Sequence, residues 1–551
     1  MRADGASRHG PWPDRPATHR PATYGGIRIS RPATAPPGLP RFPSLSPPFG
    51  QIWPADAIAK IFFRPRAGAD KGGHRMIWRR VSRGLALICL TGWLAGGAVA
   101  QQAIDPDLDP REARAIAADG YLYAYPLLLM ETARRIQTNF TEPDTQLGTG
   151  APVNRFTHMA RLPDALLHGI GPTPDTDVLW SSLWFDVARE PLVIETPDAK
   201  GRYFMMVAAD MWSDVFTAPG TRTAPAGPHA YAIVARDWRG TLPRGVEMLR
   251  APTSSGWLHV RIALDGGADL AAAQAFQAGF SATPLSSWRK KYARPPSPGK
   301  YDIALPRTPA ADQVAAMSAA DYFAAFAELA GRYPPHDNDT PMLQRLRRLG
   351  IVPGGRFDFA RLPAALRDAV NEGVQAGQAR LRSPPEPRAG NAGLVMPLKR
   401  RGTYGTDYAL RARSIRLAWV APLTDDMIQA RADTDSEGRP LDGSFRYEIR
   451  FERLQQPPVR GFWSVTLYND RDALLDNMGN RYAVHMRDRI DTAADGTATI
   501  YLQYEAPVEA RTRNWLPSPQ SGHFSLVLRL YWPREAAVEG TWAPPAIRRV
   551  R

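Results

Sequence analysis

The sequence has almost no cysteine. Cys89 is the only one in 551 residues, and it lies in an apolar stretch near the start of the chain. Disulfides, thiol catalysis and cysteine-bound zinc are therefore excluded for the rest of the chain. Stability must come from a hydrophobic core, and the remaining length is ample for two or three domains.

The sequence also lacks the short motifs of common enzymes. It contains no nucleophile elbow, phosphate-binding glycine loop, dinucleotide fingerprint or zinc-helix motif. The histidines beyond residue 100 are not paired at metal-ligand spacing, and a surface or core role is the better interpretation of each. They are His158, His168, His229, His259, His336, His485 and His523. We therefore predict no cofactor and no metal.

An excess of positive charge is confined to the start of the chain. The first 100 residues hold 15 of the 69 basic and 4 of the 54 acidic residues, so the rest has 54 basic and 50 acidic residues. A strongly basic protein would suggest nucleic acid or an acidic membrane surface as partner. The rest of the chain is nearly balanced in charge and does not suggest such a partner, so we predict no nucleic-acid partner.

Residues 76–100 have the order of a secretory signal peptide. A basic stretch at 79–83 precedes an apolar stretch at 85–94, and Ala98-Val99-Ala100 is a small-x-small cleavage site. The apolar stretch is short for a transmembrane helix of about 20 residues. We expect a periplasmic or secreted protein that begins at Gln101 and has no stable membrane anchor after cleavage.

Residues 1–75 are rich in proline, arginine, alanine and glycine and have no sustained periodicity. Such a composition buries too little apolar surface to fold. Because a signal peptide normally starts a chain, Met76 is the expected start, and residues 1–75 are then upstream sequence read in frame. The alternative is a genuine disordered extension.

Strand patterns dominate two regions and predict a mainly β fold with a helical insert, an α+β class. In 524–531 an aliphatic set alternates with a mixed one, which is the period of a strand with two different faces. Short aromatic and β-branched runs separated by turns favour a sandwich or barrel. The predicted order is N-terminal helices (101–138), a β-sandwich (139–265), a helical insert (266–382), a linker (383–393) and a second β-sandwich (394–551).

Helix signals are clearest at three places. Asp109-Pro110 supplies a capping carboxylate and a proline at the first helical position, and Pro126 is expected to kink or interrupt that helix. Ser318 caps an alanine-rich helix, and Thr340-Pro341 begins another that Gly350 ends.

The chain resembles two paired families of exported bacterial proteins. YAYPLLLME, PTPDTDVLWSSLWFDV and RYFMMVAADMWSDVF are similar to the domain-of-unknown-function family numbered 1254. YGTDYALRAR, PPVRGFWSVTLYND, NRYAVHM and FSLVLRLYWP are similar to the family numbered 1214. The resemblance implies an immunoglobulin-like β-sandwich, a helical insert and a jelly-roll-like C-terminal sandwich, without an established activity. Where the first family usually has Thr-Pro-Asn and then Asp-Thr and a tyrosine, this chain has Asp175, Val178 and Trp180.

Six residues are the candidates for a ligand-binding cleft where the two sandwiches meet. They lie in the most specific motifs, beside predicted strand ends or loops, where such folds usually place function. The six are Asp177, Asp210, Trp212, Arg411, Asn514 and Trp515. Each has a structural alternative: turn chemistry for the aspartates, the core for Trp212, the end of a sandwich for Trp515, and an interdomain salt bridge for Arg411 with Asp177.

Residues 433–438 resemble the start of a calcium loop, but its twelfth position is Ser444 rather than glutamate. A hairpin turn accounts for the same residues, and we predict no structural calcium there.

Two function classes remain open. One is a periplasmic enzyme, hydrolytic in the first instance, that acts on a small or oligomeric polar or carbohydrate-like substrate. The other is a non-catalytic ligand-binding or envelope-assembly module, and either is compatible with a homo-oligomer. An enzyme is expected to place histidine and carboxylate, or two carboxylates, within about 10 Å in one cleft. A binding module is expected to show aromatic platforms instead.

Overall fold

The computed structural model describes residues 104–146, 148–166, 173–291, 298–383, 393–477 and 479–550. The leader and the signal peptide predicted at 76–100 lie outside these ranges, as do residues 384–392 of the predicted linker. The described residues combine helices with antiparallel and mixed sheets, which confirms the α+β class.

The helices are α1 (Pro110–Gln137), α2 (Leu270–Gln277), α3 (Ala310–Ala315), α4 (Ala319–Arg332), α5 (Thr340–Arg348), α6 (Ala364–Arg382), α7 (Tyr408–Ala418) and α8 (Glu535–Val538). The strands are β1 (Thr157–His158), β2 (Val178–Asp186), β3 (Leu192–Thr196), β4 (Phe204–Asp210), β5 (Val215–Thr217), β6 (His229–Val234), β7 (Val246–Arg250), β8 (Ser255–Ala263), β9 (Ser281–Pro284), β10 (Met427–Ala432), β11 (Arg446–Phe451), β12 (Trp463–Asn469), β13 (Ala483–His485), β14 (Ala498–Gln503), β15 (Trp515–Pro517), β16 (Phe524–Tyr531) and β17 (Ile547–Val550).

The predicted capping residues do cap their helices. The Asp109 carboxylate accepts from the backbone N–H of Glu112, and the Ser318 side chain accepts from that of Asp321, so each satisfies a donor that the first helical turn leaves free. α1 continues through Pro126 to Gln137 rather than ending at the proline. None of the helices in the described ranges is long and apolar enough to cross a membrane.

Two sheets form the N-terminal β region. Sheet 1 has the strand order β1-β2-β8-β4-β5 and sheet 2 the order β7-β6-β3-β9. They share one core, which contains Leu179, Leu258 and Met206 from sheet 1 and Ile194 and Ile233 from sheet 2. Strand β9 belongs to sheet 2 although it lies beyond the boundary expected at residue 265.

Two further sheets form the C-terminal β region. Sheet 3 has the order β10-β16-β12-β13 and sheet 4 the order β15-β14-β11-β17. Their shared core takes the aliphatic face of β16, including Leu526 and Leu528, together with Ile449 and Ile500 of sheet 4. The mixed face of β16 is equally buried, so it must be covered by something other than sheet 4.

Sheet 1 covers the Tyr531 end of that face, while Val527 packs with Leu474 and Tyr482 of the C-terminal region. Tyr531 of β16 packs with Val178, Tyr203 and Met205 of the N-terminal region in one small apolar cluster. The other end of the same sheet-1 face packs on the helices, where Trp257 joins their core. Sheet 1 is therefore covered on one face by sheet 2 and on the other by two partners, sheet 3 at one end and the helices at the opposite end.

Helices α1 and α6 approach closely because α6 presents glycines to α1. A Cβ added at Gly373 would lie 2.5 Å from the backbone oxygen of Arg114, and one added at Gly377 would lie 2.7 Å from the Tyr121 Cβ. Helix α7 packs on this pair through Ala412 and Ile415. The chain then passes from the helices to sheet 3 through α7, which carries Arg411.

Candidate functional site

The outer face of sheet 1 carries a polar cluster at each end of β8. Asp210, the last residue of β4, pairs with Gly256, while the backbone oxygen of Asp177 accepts from Leu264. Leu264 lies eight positions along the chain from Gly256, a span of about 26 Å in an extended strand. Asp177 and Asp210 therefore belong to two separate sites.

The first site, the His336 cluster, consists of Asp210, Asp214, His336, Asp339 and Arg411. Asp210 is fully buried, and its Oδ1 accepts from the backbone N–H groups of Trp212 and Asp214. Its Oδ2 lies 2.6 Å from Nε2 of His336, which follows α4. The cluster thus joins the end of a strand, the loop before α5 and helix α7.

The two ring nitrogens of His336 have different surroundings. Nε2 donates to Asp210, while Nδ1 lies 3.4 Å from Nη2 of Arg411, which can only donate. Nδ1 is therefore the acceptor in this arrangement, and the carboxylates of Asp214 and Asp339 each lie 4.0 Å from it. Nδ1 is thus the nitrogen that can exchange a proton with a bound molecule.

Burial and charge shift the protonation of this cluster. Burial lowers the pKa of His336, but the hydrogen bond and the charge of Asp210 outweigh burial, and the pKa lies above its usual value. Burial raises the pKa of Asp214 to about 6, with Asp210 adding to the rise and Arg411 opposing it. The pKa of Asp214 thus lies closer to neutral pH than that of an ordinary aspartate, while His336, 4.0 Å away, keeps its proton to a higher pH than an ordinary histidine.

Several buried polar atoms around Nδ1 make no hydrogen bond within the described residues. They are Oδ1 of Asp339 and Nη1 of Arg411, together with Oδ1 of Asp214 and Nε of Arg411, which lie 3.1 Å from each other as an ion pair without hydrogen-bond geometry. Nearly all buried polar groups in folded proteins find a partner. Unsatisfied donors and acceptors at one place indicate a position built for water or a ligand.

An open depression of about 370 Å³ adjoins His336 on the protein surface. Its lining consists of Arg236, Arg250, Ala251, Pro252, His336 and Asp337. Two arginines and one aspartate give it an excess of positive charge. Among these lining residues, His336 alone also belongs to the buried cluster, so it links the depression to the carboxylates.

Trp212 belongs to the core beside this cluster. It is fully buried, its ring centroid lies 5.1 Å from that of Tyr123, and its Nε1 donates to the backbone oxygens of Tyr333 and Pro334. These contacts fix the loop that leads to His336. Trp212 therefore positions the site rather than presenting its indole to a ligand.

The second site, the seam cluster, lies where sheets 1 and 3 meet. Asp177 is fully buried. Its Oδ2 accepts from Ser464 at 2.5 Å and lies 3.1 Å from the Tyr531 hydroxyl. Its Oδ1 pairs with Nε2 of His485 at 3.1 Å. His485 has a second carboxylate at Nδ1, that of Asp488, 2.9 Å away. Both ring nitrogens are thus held by carboxylates.

Those two carboxylates keep His485 charged. Burial opposes the charge, but Asp177 and Asp488 outweigh it and raise the pKa of His485 to about 9. The pKa of Asp177 is lowered despite its burial, because His485, Arg529 and Ser464 favour its charged form. A histidine locked in this way stabilises the contact between the two sheets and is poorly suited to exchange a proton.

Asn514 and Trp515 lie at a third place, within the C-terminal β region. The side chain of Asn514 makes two hydrogen bonds to the backbone of Asp491, and Nε1 of Trp515 donates to the backbone oxygen of Gln503. Trp515 starts β15, which pairs in parallel with β14. The segment expected to be an open loop is thus a short strand with its polar groups satisfied.

The six candidate residues therefore do not share one cleft, and that expectation is corrected. Asp210, Trp212 and Arg411 come together, Asp177 lies at the opposite end of β8, and Asn514 and Trp515 make their hydrogen bonds within the C-terminal β region, outside both clusters. The structural alternative, a salt bridge between Arg411 and Asp177, is not formed either: Arg411 pairs with Asp214, and Asp177 with His485.

Sequence reasoning missed the two histidines. His485 and Asp488 lie in and just beyond the motif NRYAVHM, three residues apart, which was a usable signal. His336 stands in the predicted helical insert, outside the motifs, and its partner Asp210 is 126 residues away. Only the folded chain brings that pair together.

The calcium-like loop is held by its own backbone. Oδ1 of Asp435 accepts from the N–H groups of Glu437 and Arg439, and its Oδ2 pairs with the Arg439 side chain. Asp433 pairs with Arg431. Across the described residues no group of three or more histidine, cysteine, aspartate or glutamate side chains is arranged to hold a metal ion.

Comparisons with known proteins agree with this architecture. The VPA0106 protein of Vibrio parahaemolyticus has a solved structure that is similar with a TM-score of 0.59, at 23% identity, over 80% of this chain and all of that one. An uncharacterized protein from Burkholderia cenocepacia is similar at 13% identity over 78% of this chain and 88% of that one, with a TM-score of 0.39. The first likeness supports the fold alone. No protein with a curated description matches the chain.

Two family descriptions match separate parts of the chain. Residues 153–284 match "Protein of unknown function (DUF1254)", which covers sheets 1 and 2. Residues 426–535 match "Protein of unknown function (DUF1214)", which covers most of sheets 3 and 4. The two matches occur in the N- to C-terminal order that the motifs of the chain predict.

Proposed function

We propose that this protein is an enzyme that performs acid–base chemistry on a small polar substrate with an anionic group. The observation that carries the proposal is the position of His336 between a positively charged depression and a set of buried carboxylates. Histidine and carboxylate lie well within 10 Å of one another, the arrangement expected of an enzyme rather than a passive binding module.

The reaction class that these groups suit best is hydrolysis. Asp210 accepts from Nε2–H of His336, and Nδ1, whose contact with Arg411 is long at 3.4 Å, takes a proton from water as the water oxygen bonds to the substrate. Asp214, with its pKa raised to about 6, then supplies a proton to the leaving group. This division of acid and base between differently placed groups is the usual solution at neutral pH.

The depression selects the substrate by charge. Arg236 and Arg250 line it, and guanidinium groups bind carboxylates and phosphates through paired hydrogen bonds. Arg236 is held by Asp337, with contacts of 2.9 and 3.1 Å, so its orientation is fixed while much of its surface stays exposed. An anionic group bound there would place the rest of the substrate against His336.

Chromogenic substrates test the proposal directly. The full chain is assayed with p-nitrophenyl phosphate, p-nitrophenyl glucuronide and p-nitrophenyl acetate, alongside the His336→Gln variant. We expect turnover of an anionic substrate and a loss of about 10²–10⁴-fold in kcat for the variant, the range for a missing acid–base group. Arg250→Gln is expected to raise KM with a smaller change in kcat, since Arg250 lines the depression and lies outside the His336 cluster.

Asn514→Ala is the matched control, because Asn514 lies in neither polar cluster and is expected to leave turnover unchanged. Turnover that survives His336→Gln would refute the assignment. A non-hydrolysable analogue that raises Tm only when His336 is present, without turnover of any substrate, would make the protein a ligand-binding module instead.

We also propose that the protein works outside the cytoplasm, in the periplasm or as a secreted protein. The support is the order of basic, apolar and small residues at 79–100. Intact-mass analysis of the exported protein is expected to show a chain that begins at Gln101. A mature species that retains Arg79 and Arg80 would contradict this.

A further inference from the structure

The region where sheets 1 and 3 meet contains several buried hydrogen-bond donors that have no acceptor among the described residues. Nε of Arg261, Nε of Arg401, Nε of Arg529 and Nε1 of Trp180 are buried and make no hydrogen bond within the part of the chain that the structure describes. Each such donor destabilises a closed interior if it stays unpaired. Four of them in one region call for a partner made of acceptors.

These donors lie next to one another. Arg261 is the cross-strand partner of Trp180, so both extend from neighbouring strands of sheet 1. Nε of Arg261 and Nε of Arg529 lie 3.9 and 3.8 Å from the same oxygen of Asp175. Arg401 donates to Gln429, the cross-strand partner of Arg529 in sheet 3. The donors therefore converge from sheet 1, from sheet 3 and from the segment before α7.

The charges at this place do not balance. Three guanidinium groups face two carboxylates, those of Asp175 and Asp177, while His485 and Asp488 offset each other. Asp175 is only a distant partner for the arginines, since its close contact is the Tyr531 hydroxyl. In accord with the surplus, burial and the charges of Arg261 and Arg529 lower the pKa of Arg401 to about 10.

We propose that Arg261, Arg401 and Arg529 form a binding site for a small oxyanion in the seam between sheets 1 and 3. An oxyanion accepts hydrogen bonds at each oxygen and donates few or none, so it is a suitable partner for donors that lack an acceptor. Access runs past Arg261, whose side chain is 12% exposed, and past the partly exposed Trp180 and Phe462.

This site is separate from the proposed catalytic site. Arg261 lies five residues along β8 from Gly256, the partner of Asp210, which is about 17 Å in a strand. The anion would contact both β regions and the segment that joins them. It would therefore stabilise the contact between sheets 1 and 3 by binding only the folded, assembled form.

Inorganic phosphate and malonate are the probes, with sodium chloride at equal ionic strength as the reference. Tm and calorimetric titration are measured on the full chain and on the Arg261→Gln and Arg401→Gln variants. We expect phosphate or malonate, but not chloride, to raise Tm, and each variant to bind that anion at least tenfold more weakly. Because Arg401 is partly exposed, Arg401→Gln is expected to fold, and it tests the proposal even if Arg261→Gln does not fold.

Two further variants make the result specific. Arg114→Gln removes a guanidinium that is 56% exposed on α1 and is expected to leave binding unchanged. His336→Gln is also expected to leave it unchanged, because the two sites are separate. Equal effects of chloride and phosphate, unchanged binding in both seam variants, or binding lost only in His336→Gln would each overturn the proposal.

Discussion

The His336 cluster and the seam cluster contain the same types of residue, but the first is suited to proton exchange and the second to holding two sheets together. Each places a histidine beside a fully buried aspartate at one end of β8, with an arginine nearby. His485 has a carboxylate at both nitrogens, at 3.1 and 2.9 Å. His336 has one close carboxylate at 2.6 Å and only longer contacts at Nδ1.

The second carboxylate decides what each histidine can do. Two close carboxylates hold a proton so firmly that the imidazolium acts as a fixed charge, which serves to join two sheets. One close carboxylate orients the ring and leaves the other nitrogen able to gain or lose a proton. The functional difference thus lies in the surroundings of Nδ1 rather than in residue type.

The largest expected effect is on stability at the seam. Asp177→Ala leaves His485, Ser464 and Tyr531 without their shared acceptor in a fully buried position, and breaking a buried ion pair in this way lowers the unfolding free energy by about 3–5 kcal/mol. Urea denaturation measures the loss. Asp488→Ala, at a carboxylate that is 32% exposed, is the control and is expected to lose less than half as much. A loss below about 1 kcal/mol for Asp177→Ala would show that the seam does not depend on this pair.

The second effect is a pH dependence that belongs to His485. Its folded-state pKa of about 9 exceeds the ordinary value of 6.5, so its stabilising contribution is complete below pH 6.5 and is lost as the pH rises through 9. The loss is on the order of 3 kcal/mol. The urea midpoint should therefore be lower at pH 9.5 than at pH 6.5, both in the wild type and in His336→Gln. In His485→Gln the fall should be much smaller; an equal fall there would assign the dependence to other groups.

The third effect separates the two histidines by their partners. Asp210→Asn removes the charge that raises the pKa of His336, so that pKa should fall, as read from the imidazole Hε1 signal by NMR titration. Stability should fall by about 1–3 kcal/mol, because a buried hydrogen bond to a charged group is weakened. The His485 signal should keep its titration. A shift of both signals would mean that the two ends of β8 are electrostatically coupled.

The sequence could predict which residues take part in these clusters better than which of them come together in the folded chain. The alternation in 524–531 predicted a mixed face on β16, and that face is the one that meets sheet 1 through Arg529 and Tyr531. Local signals such as the Asp109 and Ser318 caps were sufficient because they act within one helical turn. The Asp210–His336 pair spans 126 residues, and no local pattern encodes such a distance.

The clearest failure has the same physical cause. Asp177 and Asp210 stand 33 positions apart, just before β2 and at the end of β4, and the sequence gives no indication that they occupy opposite ends of one face. That follows from the antiparallel register of β2, β4 and β8, in which Val178 pairs with Ala263 and Asp210 with Gly256. Strand register depends on contacts that form only after folding. Residue type therefore identified polar anchors correctly and grouped them incorrectly.

The smallest effect provides the baseline for both clusters. Asn514→Ala removes two hydrogen bonds to the backbone of Asp491, so the unfolding free energy should fall by about 1–2 kcal/mol, the range for neutral hydrogen bonds lost from a nearly buried side chain. Neither histidine contacts Asn514, so both imidazole signals should keep their titration, and the phosphate-induced rise in Tm should persist. Denaturation, NMR titration and thermal shift on one variant check all three. If Asn514→Ala abolished the thermal shift, the anion would bind near β15 instead, and both the seam site and the use of this variant as a control would have to be abandoned.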